Sequence, residues 1–184
     1  MNKLRIGILS IGLATLTAAG CPLVSGQFLV KYELPTPLQV TVAGNVTRAD
    51  IDLNNNAEYK DHKKNLKAIA DFAFLGKFIN NTTPAAPINL GLWITPDVTS
   101  YTTVSQLIAD GNARQVWGPF SLGAGETKTI GWDDSAKLFT DSGKQALLEQ
   151  VKGDGVFTVY LISTGSALFT IQNGVFAFVV DAGQ

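Results

Sequence analysis

The sequence predicts a mainly β chain: a β-sandwich of about eight or nine strands with two short helical insertions. Apolar and polar residues alternate in short runs, as in Phe28, Val30, Tyr32 and Leu34 around Lys31 and Glu33. Gly, Pro and Asn clusters separate these runs at short spacing. Strands do not alternate with long helical patterns, so a parallel sheet is not expected.

The elements follow in order. Pro35-Thr36-Pro37 stops the first strand, and Leu38, Val40 and Val42 restart the period. After Gly44-Asn45, Thr47, Ala49, Ile51 and Leu53 continue it with Arg48, Asp50 and Asp52 outward, which predicts a hairpin. Tyr59, His62, Leu66 and Ile69 then stand three or four apart, predicting an amphipathic helix over about 57–67 capped by Asn55 or Asn56. Phe72, Phe74 and Phe78 oppose Ala73, Leu75 and Ile79 in a strand apolar on both faces, hence central and covered twice. Ile88 to Ile94 is a strand ended by Pro96, and residues 97–114 permit a short helix at Val104, Leu107 and Ile108. Val116 to Leu122 contains Pro119, which suits an edge strand. Thr127 to Trp132 is a strand, and residues 135–151 hold the second helical insertion. There Ser142 and Gln145 have capping-box spacing, and Gly153 or Gly155 closes the end. Val156 to Ile162 is a strand. Asn173-Gly174, between Leu168–Ile171 and Val175–Val180, is the strongest hairpin signal in the chain.

The chain has 184 residues, enough for one domain with a real core. It holds 14 basic and 15 acidic residues without a basic cluster, which disfavours nucleic-acid binding. A single cysteine excludes an intrachain disulfide. Lys3 and Arg5 precede an uncharged run from Ile6 to Ala19, and small residues follow, the layout of a secretory signal peptide. An uncleaved apolar helix is the competing reading, against which Gly20, Pro22, Gly26 and Gln27 stand.

The small residues end in Ala18-Ala19-Gly20-Cys21, which resembles the lipobox of bacterial lipoproteins, with Ala18 where that family favours Leu. The resemblance implies cleavage between Gly20 and Cys21 and lipidation of Cys21, including palmitate-type acyl chains. Each buried CH₂ of such chains contributes about 0.8 kcal/mol, so two or three make a stable anchor. Pro22 does not resemble the Asp of inner-membrane retention, so the expected location is the bacterial cell envelope, lipid-anchored at the outer membrane. The expected organisation is a signal peptide at 1–20, a lipidated tether at 21–27 and one domain at 28–184.

Two internal segments, "FAFLGKFINNTTPAAPINLGLWI" and "FSLGAGETKTIGW", resemble bacterial Ig-like or fibronectin-III-like modules. The second places Leu122, Gly125, Glu126, Thr127, Thr129 and Ile130 in that family's turn-and-strand segment. The resemblance implies an Ig-like β-sandwich without catalytic machinery.

His62 is the only histidine and lies on the apolar helix stripe, which reads as packing. Asp50, Asp52, Asn54, Glu58 and Asp61 have EF-hand-like spacing, but Asn55 replaces the required Gly and Asp61 the bidentate Glu. They are weak calcium candidates beside the simpler reading of a solvated strand face and an Asn cap. Trp93, on the face opposite Leu92 and Ile94, is a possible ligand platform. Asp133-Asp134 reads as a helix start. No catalytic residue, metal or cofactor is predicted. The expected function is a membrane-anchored envelope lipoprotein with a structural or binding role toward a protein or glycan. The alternatives are a calcium-dependent carbohydrate-binding module and an accessory subunit of an export or assembly machine.

Overall fold

Proline, glycine and asparagine decide where the strands of this chain break and bend. The computed structural model describes residues 26–43, 46–96, 100–163 and 165–183. The expected signal peptide at 1–20, with Gly20, and the expected lipidation site Cys21 lie outside the described residues. The strands are β1 (Gly26–Glu33), β2 (Leu38–Ala43), β3 (Thr47–Asp52), β4 (Leu66–Asn80), β5 (Ile88–Thr95), β6 (Arg114–Leu122), β7 (Thr127–Ile130), β8 (Val156–Ser163) and β9 (Ser166–Ala182). The helices are α1 (Ala57–His62), α2 (Val104–Ala109), α3 (Trp132–Ala136) and α4 (Asp141–Lys152). The first expected insertion, over about 57–67, is shorter: α1 ends at His62, a 3-10 turn takes Lys63–Asn65, and Leu66 and Ile69 already belong to β4. The second is divided into α3 and α4, and the stretch 97–114 supplies α2. Strand β1 includes Gly26 and Gln27, which the sequence reading gave to the tether.

All pairing is antiparallel and forms two sheets that face each other. In the first, β1 and β2 both pair with β9, β9 with β4, and β4 with β7. The second runs β3-β8-β5-β6. Strands β1 and β2 are one edge strand interrupted at Pro35-Thr36-Pro37. β1 takes Val175–Ala182 of β9, and β2 takes Ser166–Ile171. Counted together they make eight strands among the described residues, in the orders 1-8-3-6 and 2-7-4-5, the arrangement of a jelly roll. An Ig-like sandwich pairs its first strand with its second. Here the first pairs with the last, so the chain is a β-sandwich without the Ig-like order that the resemblance implied. The Pro119 strand β6 is an edge strand, as expected.

Two expected hairpins are corrected. β2 and β3 lie in different sheets: β2 pairs with β9 and β3 with β8. Asn173-Gly174 is not a turn: β9 runs through it as one strand. Asn173 has φ 52°, a left-handed conformation that serves a β-bulge as well as a hairpin. The bulge switches the side-chain alternation. Ala167, Phe169 and Ile171 are buried before it, and Phe176, Phe178 and Val180 after it. Pro35 to Pro37 interrupts the edge strand at the same level, where the Leu34 amide donates to the Gly174 carbonyl at 2.8 Å. On the other side, β4 shifts register between Leu75 and Lys77 around Gly76. A Cβ at Gly76 would lie 3.4 Å from the Gly174 Cα. The first sheet therefore bends along one line through three strands.

The core is aromatic. Phe74 and Phe78 of β4 meet Trp117 of β6, with ring centroids 5.4 and 6.4 Å apart, and Phe74 stacks on Phe176 at 4.5 Å. β4 is central, between β9 and β7. Its outer face is only partly covered, with Leu75 and Ile79 half-buried, so the second covering layer is incomplete. Strand β7 pairs only with Gly76–Ile79 of β4, and α3 sits beside β4 where β7 stops. There the buried Ser135 hydroxyl accepts from the Phe74 amide at 2.7 Å and from Trp117 Nε1 at 3.1 Å. Helix α4 is capped by Thr140, not Ser142: the Thr140 side chain accepts from the Gly143 amide.

Candidate functional site: an open sandwich flank

The bend in the first sheet leaves a slot between the interrupted edge strand and β3. Its volume is about 200 Å³. One wall is Tyr32, Leu34, Pro35 and Leu38, and the other is β3 from Thr47 to Asp50. Core side chains form its floor: Phe74, Leu92, Val159, Leu161 and Phe176. An apolar cavity of about 150 Å³ is enough to bind a benzene ring, so this slot admits a ring or a branched aliphatic side chain. A polar groove of about 370 Å³ adjoins it, lined by Lys31, Glu33, Asp52, Asn55 and Asn56 and sharing Tyr32 and Asp50.

At the slot mouth, Arg48 Nη2 donates to Asp50 Oδ2 at 3.1 Å, and Asp50 Oδ1 accepts from the Thr158 hydroxyl at 3.0 Å. Arg48 also donates to Ser100 Oγ. The Arg48 and Asp50 side chains are 37% and 42% exposed, so their pairing contributes about 1 kcal/mol or less.

The remaining acidic candidates are engaged in local structure. Asp52 caps a 3-10 turn at Leu53–Asn55, accepting from the Asn54 amide at 2.9 Å, from Asn54 Nδ2 at 2.8 Å and from Asn55 Nδ2 at 3.1 Å. These bonds hold its carboxyl below the usual carboxylate range. Asn54 Oδ1 accepts from Lys63 Nζ at 3.0 Å, and the same ammonium reaches the Asp154 carbonyl at 2.7 Å. The Lys63 ammonium therefore takes the Asn54 side-chain oxygen that a calcium ion would need. Glu58 and Asp61 lie exposed on α1, whose cap is Asn56, accepting from the Tyr59 amide. Among the described residues no group of three or more His, Cys, Asp or Glu side chains is placed to hold a metal.

His62 packs, as expected: its ring stacks on Phe28 at 4.5 Å. Tyr59 is fully buried and donates to the Val151 carbonyl at 2.8 Å. Burial, then the charges of Asp154 and Asp52, push its phenol up to about 12. Gly155 makes room for it: its φ is +77°, and a Cβ there would lie 2.3 Å from the Tyr59 hydroxyl.

Trp93 is not an open platform. It faces outward from the second sheet, but the β5–β6 connection folds back over it. The ring sits half-buried in a small cluster with Leu107 of α2, Tyr101 and Tyr160. Its Nε1 is buried without a hydrogen-bond partner among the described residues. Trp117 is core, and Trp132 donates to Asp71.

The sequence reading missed the slot. Its signals were present in the Pro35-Thr36-Pro37 break and the small Ala49 facing inward, but a β2–β3 hairpin would have closed the space between them.

No protein-family model matches the chain, and no curated protein matches it. Solved structures give distant likenesses to viral particles. For the T13 IBDV viral particle, identity is 15% and the TM-score 0.40, covering 95% of this chain and 36% of that one. This chain thus spans about a third of the length of that protein. For Desmodium yellow mottle tymovirus, identity is 12% and the TM-score 0.28, covering 99% of this chain and 98% of that one. For turnip yellow mosaic virus the values are 9% and 0.28, with 98% and 92% covered. At these TM-scores the likenesses carry no functional argument.

Proposed function

We propose that this chain is a lipid-anchored protein of the bacterial envelope whose β-sandwich has a non-catalytic binding or structural role. The observation that carries the reading is the position of β1. It begins at Gly26, close behind the small-residue run that ends at Cys21. Five extended residues span at most about 17 Å, so a lipid on Cys21 holds the sandwich against the membrane surface. The binding reading is supported by the slot of the open flank, whose floor is made of apolar core side chains. It suits an apolar group of an envelope protein or glycan partner rather than a reaction.

The test is metabolic labelling with a radioactive fatty acid and membrane fractionation of wild type and Cys21→Ser. Wild type is expected to carry label and to sediment with membranes, and the variant to lose both. Membrane retention of an unlabelled wild type would overturn the anchor.

A further inference from the structure

We propose that β3 is a self-complementary interface through which two copies of the chain pair antiparallel, joining their second sheets into one. Among the described residues β8 is the strand partner of β3, so β3 is the outer strand of its sheet. Just ahead of it the Val46 amide donates to the Thr102 carbonyl at 3.1 Å, so the edge offered to another strand begins at Thr47. An edge strand offers the backbone groups of alternate residues to another strand.

The side chains select the register. In antiparallel pairing, directly opposite residues share a sheet face, so only three registers centre on the strand's charged middle. Centring on Arg48 sets two guanidinium groups against each other, and centring on Asp50 sets two carboxylates against each other. Centring on Ala49 places Arg48 of each copy opposite Asp50 of the other, and Thr47 opposite Ile51. The smallest side chain of the strand then lies on the two-fold axis. Both charged groups are partly exposed on the outer face, so each intrachain ion pair extends into a four-charge network. The slot opens along this same edge, with Ala49 in its wall. A second copy of β3 laid there brings the two slots mouth to mouth and withdraws their apolar walls from water. This pairing uses β3 alone and is independent of the lipid anchor.

The experiment is light-scattering mass measurement on the full chain, solubilised in mild detergent. Four samples are compared: wild type, R48D, D50R and the double reversal R48D/D50R. Wild type is expected at twice the monomer mass. Each single reversal opposes like charges at two positions and raises the dissociation constant by on the order of tenfold or more. The double reversal keeps the complementarity and restores the dimer, and an equimolar mixture of the two single variants forms a heterodimer. A monomeric wild type would overturn the proposal. So would a dimer indifferent to the single reversals, as one held by acyl chains would be. A double reversal that melts like wild type yet stays monomeric would overturn it equally.

Discussion

The two long flanks of this sandwich have the same architecture and opposite packing. On the flank of β6 and β7, the sheets are joined by aromatic contact, Phe78 to Phe120 at 5.3 Å, and by the Ser135 hydroxyl that takes hydrogen bonds from both sheets. Helix α4 closes over β6 so tightly that a Cβ at Gly143 would lie 2.6 Å from the Val116 Cα. On the flank of β1, β2 and β3, α1 packs only on one end of β1, where His62 stacks on Phe28, and the slot beyond it reaches the core. The difference follows from where each connection travels. The β7–β8 connection carries α3 and α4 back over the sheet margin, whereas β2 and β3, in different sheets, are only three residues apart in the chain. A closed flank stabilises the fold, and the open one leaves apolar surface available for another molecule.

The largest expected effect is on the closed flank. Ser135→Ala removes the acceptor of two buried donors, the Phe74 amide and the Trp117 indole. Leaving them unsatisfied costs about 2–4 kcal/mol, read from urea unfolding. Arg48→Ala on the open flank should cost less than about 1 kcal/mol in the same experiment. Equal losses would erase the distinction between the flanks.

Tyr59 fastens one end of the open flank, and alkaline pH tests it. Its folded pKa lies above the unfolded value, so its contribution is complete below pH 10 and declines as pH rises toward 12. Two pH units correspond to about 2.7 kcal/mol lost across that window. Tyr59→Phe should be less stable at neutral pH by about 1 kcal/mol, for the lost bond to Val151, and should lack this tyrosine's alkaline decline. Parallel stability curves for the two proteins from pH 9 to 12, by guanidinium unfolding, would show the hydroxyl to be solvated.

Much of this contrast was legible in the chain. Alternation located the strands, and Pro119 marked an edge. The phenylalanines of β4 and Tyr59 of α1 identified buried positions, although the expected helix stripe breaks after His62, where Leu66 and Ile69 pass to β4. What alternation cannot supply is the partner of each strand. Asn173-Gly174 satisfies the backbone demand of a turn and of a bulge equally, so a single strand of 17 residues read as two. Gly44-Asn45 likewise suggested local pairing, whereas β3 pairs with β8, more than 100 residues later in the chain. Trp93 was placed on the correct face, but the α2 segment that covers it comes from a stretch with weak periodicity. The slot is a product of these long-range choices and has no local signature.

A smaller effect sharpens the comparison by volume. Gly143→Ala adds one methyl to the closed flank and forces α4 off β6, at a cost of about 1–3 kcal/mol. Ala49→Leu adds three carbons to the slot, where space exists, and should leave stability unchanged within about 0.5 kcal/mol or raise it. Both are measured by denaturant midpoint. A loss from Ala49→Leu as large as that from Gly143→Ala would mean that the slot closes in solution.

The smallest expected effect concerns calcium at the end of the open flank. A site with a dissociation constant weaker than about 10 mM, probed at about 5 mM calcium, contributes less than about 0.3 kcal/mol. That corresponds to less than about 1 °C in the melting temperature of a chain of this size. The expectation rests on Lys63, whose ammonium already takes the oxygens of Asn54 and Asp154, and on Asp52, whose carboxylate is committed to the turn. Because the turn holds its pKa down, Asp52 stabilises the fold above its unfolded value near 4. That contribution disappears as pH falls through the lower folded value. Lys63→Met removes the competing ammonium and is the sharper probe: if calcium then raises the melting temperature, the loop has a cation geometry that the lysine occupies. If neither protein responds, the carboxylates of this flank serve the turn and the strand face alone.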